Sequence, residues 1–340
     1  QCLVGSEMCI RDSYNAEHTI EKCVESLLKQ VGNFSYQIII LDDGSSDGTL
    51  ARLEKYQDNQ LVEIVAKQNT GASSTRNVGI EMAEMDSEYL IFVDADDFVE
   101  ADYLKLLFDQ FKDNSNCDLA ICGYRKEDEN GELRFKAAGQ KQVMDRRQAL
   151  EQIFVSTGYE GYPWNKLFKT SIIKDNQIRF NTDLVLAEDL YFCCEYLLHC
   201  SKVSYDPKPV YHYVVQENSQ INSNRYGAPY NPKSLNIITT YTRLQSLIPA
   251  KYQKVHQSIN TQLCWSSTTI LRNIMLAPNR DEVPADTIAK LKGIVKQNRH
   301  DFMQNTILPK RDKIIFMLNL YAPGLLAWIW KKFSLRGNGF

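Results

Sequence analysis

No apolar run in this 340-residue chain reaches the ~20 residues that a membrane-spanning helix needs, so no span is expected. The nine cysteines include no CxxC pair and no His/Cys cluster at zinc spacing. Their odd number argues against a closed disulfide framework. Reduced thiols in a cytosolic protein fit this pattern, and Cys23, Cys122, Cys193 and Cys264 read as small buried hydrophobes because their neighbours are apolar. The formal net charge of -3 and the pI near 6.0 supply no global attraction to polyanions, which excludes nucleic acid as the expected partner. Internal repeats and a convincing linker are also missing. Residues 1–13, QCLVGSEMCIRDS, lack the basic region, apolar stretch and small-residue cleavage site of a secretory signal. They match neither strand pattern and read as a non-native leader that contributes nothing to the fold.

With 44% hydrophobic and 24% charged residues, the chain can bury a sizeable core, as one large domain or one domain plus an appendage. From Glu17 to Gln30, Ile20, Cys23, Val24, Leu27 and Leu28 recur at helical spacing, with Asn15 available to cap the start. Gln37 to Leu41 is a buried-strand run that empties into Asp42-Asp43-Gly44-Ser45. A helix near Leu50–Leu53, a strand over Val62–Ala66, a helix over Ser73–Glu84 and a strand over Tyr89–Val93 follow, the last ending in Asp94-Ala95-Asp96-Asp97. A helix over Asp102–Lys112, a strand over Asp118–Tyr124 and a hairpin signal at Asn130-Gly131 come next. This rhythm predicts a mostly parallel α/β sheet flanked by helices, with ligands beyond the carboxyl ends of the strands. Beyond about Asn231 the pattern turns helical, giving expected units of 14–230 and 231–340.

Both acidic clusters fall at those strand ends. Asp94, Asp96 and Asp97 sit close together with no basic neighbour in sequence, a repulsive group that a hard divalent cation neutralises. Mg²⁺ or Mn²⁺ on such oxygens can bridge to a diphosphate leaving group. Helix capping would account for Asp97 alone. Asp42 and Asp43 can accept hydrogen bonds from a base or ribose, although Asp-Gly and Ser-rich sequence is also ordinary turn chemistry.

Tyr14-Asn15-Ala16-Glu17, LDDGSSDGT (41–49), NTGASSTRNVGI (69–80) and FVDADD (92–97), in that order, resemble the inverting family 2 glycosyltransferases of the GT-A, Rossmann-like fold over roughly residues 14–220. The resemblance implies a nucleotide-diphosphate sugar donor, with Asp42 on the base helped by Tyr14 and Glu17, and Asp43 beside it. It implies Asn69, Gly71 and Arg76 along the nucleotide and its phosphates, Asp94 and Ala95 at the ribose end of the DxD motif, and Asp96 on Mn²⁺ or Mg²⁺. Glu188 and Asp189 match the acidic motif that supplies the general base, assigned to Asp189; the plainer reading is two acids opening a helix. Trp164, Asn165, Lys166 and Glu188 are expected on the acceptor side, with Trp164 either stacked on a sugar or packed in the core. His212 is left outside the metal shell as a packed or surface histidine.

Members of this family open with an apolar strand before the Tyr-Asn motif, and residues 1–13 do not supply one by pattern; the expected result is a lost strand and a lost wall of the base pocket. Trp265 follows Thr261-Gln262-Leu263-Cys264 and not the QxxRW of processive members, so the resemblance implies transfer of a single UDP-hexose or UDP-N-acetylhexosamine unit to a surface-glycan or lipid-linked acceptor, as in bacterial capsule or exopolysaccharide synthesis. A nucleotidyltransferase would carry a Gly-rich, Lys-containing loop at the first strand, which is missing; a catalytically silent nucleotide-sugar-binding or scaffolding protein is the rival from another class. Near the end, Ile314 to Trp330 is apolar, broken at Pro323-Gly324 and flanked by Lys310, Arg311, Lys313, Lys331, Lys332 and Arg336. Residues 310–336 therefore suit peripheral contact with the inner face of the plasma membrane, the alternative being a helix packed on the core or on a second copy in a homo-oligomer.

Overall fold

The computed structural model describes residues 6–114, 116–128, 130–215, 228–306, 308–322, 324–326 and 328, with side chains omitted for 6–11 and 84–86. The chain divides into two compact units, residues 1–183 with 187–216 and residues 184–186 with 217–340. The first boundary thus precedes the expected change at 231, and the stretch from 216 to 227 lies outside the described residues.

Unit one is built on a ten-stranded mixed sheet. Its strands are β1 (Ser6–Ser13), β2 (Ser35–Asp42), β3 (Val62–Ala66), β4 (Tyr89–Asp94), β5 (Phe98–Val99), β6 (Leu119–Asp128), β7 (Leu133–Lys136), β8 (Gln142–Asp145), β9 (Lys166–Lys169) and β10 (Lys202–Val215). The order is β3-β2-β1-β4-β9-β6-β10-β5, with β7 on β6 and β8 on β10. The four strands β3, β2, β1 and β4 run parallel, whereas β9 inserts antiparallel between β4 and β6.

The expectation for residues 1–13 is corrected here. Ser6–Ser13 is the middle strand of the parallel half, paired with β2 on one side and β4 on the other. Its side-chain pattern is weak, but the stretch contains no proline, so every backbone group is available to ladders offered from both sides. Tertiary pairing overrides the local pattern. The strand that the pattern leaves out is therefore present.

The helices of this unit are α1 (Ile20–Leu28), α2 (Thr49–Leu53), α3 (Ala72–Asp86), α4 (Tyr103–Asp113), α5 (Arg146–Gln152), α6 (Thr170–Asp175) and α7 (Glu188–Leu197). Ile20, Cys23, Val24 and Leu27 form one fully buried stripe of α1, as the 3.6-residue period requires. With Tyr103, Leu104 and Leu107 of α4 they cover the sheet face that carries Ile38, Ile40, Ile91 and Val93. On the other face Phe92 meets Phe168, Phe180 and Phe192 edge-on at 5.2–5.9 Å between ring centres. Burial of each such side chain contributes about 1.5–3 kcal/mol, so the two layers fix the positions of the strand ends. Cys23, Cys117, Cys122, Cys193, Cys194, Cys200 and Cys264 are buried free thiols.

Unit two is helical: α8 (Asn236–Leu247), α9 (Gln253–Leu276), α10 (Ala285–Gln304) and α11 (Lys310–Tyr321). Cys264, Val295, Phe302 and Phe316 form its core, and Trp265 stacks on Phe302 with rings 5.9 Å apart. Among the described residues no helix is long and apolar enough to cross a membrane.

Removing residues 1–13 deletes two parallel ladders from the middle of the sheet. The truncated chain is expected to lose its cooperative thermal transition by circular dichroism; an unfolding midpoint within a few degrees of the intact chain would contradict the central position of β1.

Candidate active site

Parallel pairing brings three strand ends level. In the ladders Asp12 of β1 lies opposite Leu41 of β2 and Asp94 of β4, and Ser13 lies opposite Asp42. Each of the three neighbouring strands therefore delivers an aspartate to the same edge, where both sequence motifs were expected.

The first two loops are laced together. Ser46 N–H donates to Asn15 Oδ1 at 2.9 Å, Asn15 N–H to Ser45 Oγ at 2.9 Å, and Gly48 N–H to Glu17 Oε2 at 2.8 Å. Asn15 thus braces the loop with positive φ instead of capping α1, whose N-cap is Thr19. Asp42 is fully buried and accepts from Ser45 N–H at 3.0 Å and Ser45 Oγ–H at 2.5 Å. Asp43 accepts from Thr70 N–H and Gly71 N–H, both at 2.8 Å, and from Lys67. Burial works to raise the Asp43 pKa, but Lys67, the Thr70 and Gly71 amides and Thr75 together hold it below the usual carboxylate value. Its role in this arrangement is to hold the loop that carries Asn69 and Gly71. Gly44, at φ +73°, is required there, because a Cβ would stand 2.9 Å from the Asn69 nitrogen. Tyr14 and Asn69 are exposed at the rim.

Arg76 is the hub. It rises from the second turn of α3, is buried, and meets four carboxylates: Nε–Asp12 Oδ1 3.2 Å, Nη2–Asp94 Oδ1 3.2 Å, Nη1–Asp189 Oδ1 2.5 Å and Nη1–Glu188 Oε1 3.9 Å. Burial disfavours its charge, yet Asp12, Asp189, Asp94 and Glu188 hold its pKa well above the ordinary value. Glu188 and Asp189 occupy the first turn of α7 behind Ala187, which adopts left-handed backbone geometry at φ 58°. The two acids open a helix, as the plainer reading has it, and both stand beside Arg76, Asp189 at 2.5 Å and Glu188 at 3.9 Å. Asp12 is the member that sequence reasoning missed, because it lies in the excluded leader. The three apolar residues Met8-Cys9-Ile10, separated from Asp12 by the charged Arg11, are too short and too interrupted a run to have flagged it.

One guanidinium cannot neutralise this array. Burial first, then Asp12, Asp96 and Asp189, push Asp94 up to about 8 against the opposing pull of Arg76. Burial and Asp189 push Glu188 up to about 7, and burial raises Asp189 against Arg76. Among the described residues Asp94, Asp96 and Asp97 form a cluster whose oxygens lie within 4.8 Å of one another. Asp97 is not the cap of α4, which is Asp102. It is buried and accepts from Tyr211 Oη–H at 2.7 Å and Val214 N–H at 2.8 Å, fixing the loop to β10. The all-oxygen donor set and the unneutralised charge fit a hard divalent cation held by Asp96 with Asp94 beside it. Ala95 between them packs on the core. His212 is buried with its ring nitrogens 3.0 Å from Glu127 and Glu100, which matches its omission from the metal set.

The expected acceptor-side residues divide. Glu188 is in the array, but Trp164 is 1% exposed and sandwiched between Tyr162 (4.7 Å, 12°) and Tyr211 (4.2 Å, 13°), leaving no free face for a sugar. Asn165 and Lys166 are fully buried, their donors satisfied by carbonyls of Cys122, Tyr159, Glu160 and Tyr162. These three support the site from behind. The aromatic faces that reach the surface next to them belong to the half-buried Tyr162 and Tyr213, whose rings are 6.4 Å apart and inclined by 24°.

Asp94 and Glu188 bind protons more tightly in the folded chain than their ordinary values of 3.8 and 4.5 imply. From about pH 4 to about pH 8 the folded state therefore holds more protons than the unfolded state, so stability contributed by these acids falls as pH rises. Urea unfolding of the metal-free chain is expected to show a loss on the order of 1–3 kcal/mol between pH 5 and 8, reduced by Mn²⁺. Stability rising across that window, with no response to Mn²⁺, would contradict the charge arrangement.

The family model for Glycosyl transferase family 2 matches residues 10–175. The chain is 32% identical over 218 residues to the putative glycosyltransferase EpsH of Bacillus subtilis, covering 61% of this chain and 60% of that protein. It is 30% identical over 337 residues to a poly(ribitol-phosphate) beta-glucosyltransferase of Bacillus spizizenii, covering 96% of this chain but 51% of the relative. The chain thus spans little more than half the length of either. The crystal structure of S. aureus TarS 1–349 in complex with UDP superposes with a TM-score of 0.60 at 20% identity, over 87% of this chain and 89% of that one. The mannosyltransferase PcManGT from Pyrobaculum calidifontis, in complex with GDP-Man and Mn²⁺, gives 0.56 at 13% identity over 96% and 87%. These likenesses establish the GT-A architecture, and residues 10–175 form a domain of the Glycosyl transferase family 2.

Proposed function

We propose that the chain transfers one sugar from a nucleotide-diphosphate donor, a UDP-hexose or UDP-N-acetylhexosamine, to a hydroxyl of a surface glycan or lipid-linked acceptor, with inversion. The observation that carries this reading is the sharing of Arg76 by Asp94 of the DxD motif and Asp189 of α7. A donor-side acid and a candidate base bond to one guanidinium, which holds the two carboxylates close together. TarS has been crystallised with UDP and with UDP-GlcNAc, which favours uracil as the base. The beta product named for the poly(ribitol-phosphate) relatives is what a single in-line displacement gives from an alpha-linked donor, and their acceptor is a surface polymer.

In this mechanism Asp189 takes the proton of the acceptor hydroxyl as that oxygen attacks the anomeric carbon. The bond from that carbon to the diphosphate oxygen breaks, and the nucleoside diphosphate leaves with the electron pair. Burial makes Asp189 a stronger base than a surface carboxylate, while Arg76 fixes its orientation. Mn²⁺ or Mg²⁺ on Asp96 would supply charge neutralisation to the departing diphosphate. Asp42 and the Tyr14–Glu17 loop would face the base, and Asn69, Gly71 and Arg76 the ribose-diphosphate stretch. On the acceptor side the half-buried Tyr162 and Tyr213 would take the place of Trp164 as the sugar contact, with Lys126 Nζ 5.6 and 5.7 Å from their ring centres.

Radiolabelled transfer to an extracted surface-polymer acceptor tests these assignments. Asp189→Asn preserves size and the bond from Arg76 but cannot accept the proton; transfer is expected to fall at least ~10³-fold with UDP affinity within about threefold. Tyr213→Ala is expected to raise the acceptor KM about tenfold at unchanged donor KM, the scale of one stacking contact. Full transfer by the Asp189→Asn chain would remove the base assignment, and an unchanged acceptor KM would remove the stacking surface.

A further inference from the structure

We propose that the exposed face of α11 seats the C-terminal unit on an anionic lipid surface. On its inner side α11 is anchored: Phe316 is buried against Phe302, with ring centres 4.2 Å apart, and Asn319 is buried. On the other side Ile314, Met317 and Tyr321, spaced by three and four residues, form a single helical stripe, and Ile314 and Tyr321 are 61% and 68% exposed. Met303 at the end of α10 and Ala322 extend the stripe into a shallow groove of about 400 Å³. Leu325 is exposed just beyond it. A helix packed into a domain turns such a stripe inward, and a contiguous apolar patch left outside marks an interaction surface.

Charge selects the occupant. Lys310 and Arg311 stand exposed at the amino end of the stripe, and Lys313 flanks it, donating from Nζ to the Met303 carbonyl at 2.7 Å. The sequence from 310 to 336 contains six basic residues and one acidic residue, in a chain whose net charge is -3. Of these, Lys331, Lys332 and Arg336, together with the apolar Trp330, lie outside the described residues. Cations around an apolar strip match phosphate headgroups above acyl chains, each basic residue strengthening attachment to anionic lipid. Size argues against a second copy: a 12-residue helix is about 18 Å long and its stripe ~10 Å wide, far below the ~800 Å² per partner of a stable interface.

The inference does not rest on sugar transfer, and its test has a separate readout. The full chain is floated with vesicles of phosphatidylcholine alone and of phosphatidylcholine with phosphatidylglycerol, at low and high salt. It is expected to float with the phosphatidylglycerol vesicles and to be released several-fold by salt. K310E/R311E should lower the bound fraction of anionic vesicles at least about tenfold, and I314S/M317S/Y321S should abolish flotation, both with an unchanged thermal transition. No flotation of the intact chain overturns the proposal, as does flotation indifferent to K310E/R311E, which changes only surface charge. So does a solution dimer that I314S/M317S/Y321S converts to monomer in the absence of any vesicle binding.

Discussion

Four carboxylates converge on the buried guanidinium of Arg76, and the organisation of the first unit follows from that imbalance. Two unit charges about 4 Å apart interact by roughly 4 kcal/mol in surroundings of intermediate polarity, so repulsion among the acids rivals their attraction to one cation. Burial first, and then repulsion among the acids, raises the proton affinity of Asp94, Asp189 and Glu188. A site in this state gains most from a ligand that brings positive charge, and a metal-bound diphosphate brings it together with oxygens that Arg76 can grip. The same array would be a poor structural ion pair, because the cost of taking its charges out of water offsets their attraction to one another.

The sheet is what makes the array possible. Parallel strands end in register, so Asp12, Asp42 and Asp94 arrive at one edge without any long-range search by loops. Ladders and two packed aromatic and aliphatic layers hold the strand ends, and the loop acids then divide the labour. Asp43 ties the β2 loop to the start of α3, and Asp97 ties the DxD loop to β10. Asp94, Asp96 and Asp189 are the acids on which the proposed transfer rests.

Most strands and helices of residues 20–124 were legible because their apolar patterns are strong, whereas the cap of α1 and the two-residue β5 were not. Val62–Ala66 begins and ends where its β-branched run does, and the α1 stripe buries the residues that its period selects. Residues 6–13 were illegible for the opposite reason: pairing from both sides determines that strand, and nothing in Met8-Cys9-Ile10 announces it. The hub followed the same logic. Arg76, Asp94 and Asp189 could be picked out singly through motif resemblance, but their meeting, across 113 residues from Arg76 to Asp189, is a property of topology alone. Trp164 shows the limit of reading an aromatic beside a motif, since exposure decides between sugar platform and core, and exposure comes from packing with Tyr162 and Tyr211.

The acid-rich site is proposed to bind its donor through a cation. The most direct measurement is the thermal unfolding midpoint of the intact chain with a panel of nucleotides, each with and without Mn²⁺, because a ligand specific for the folded state raises the midpoint in proportion to its occupancy. The account predicts a clear rise with UDP plus Mn²⁺ and little with either alone. An equal rise with UDP in the absence of metal, or no rise with any nucleotide, would contradict it.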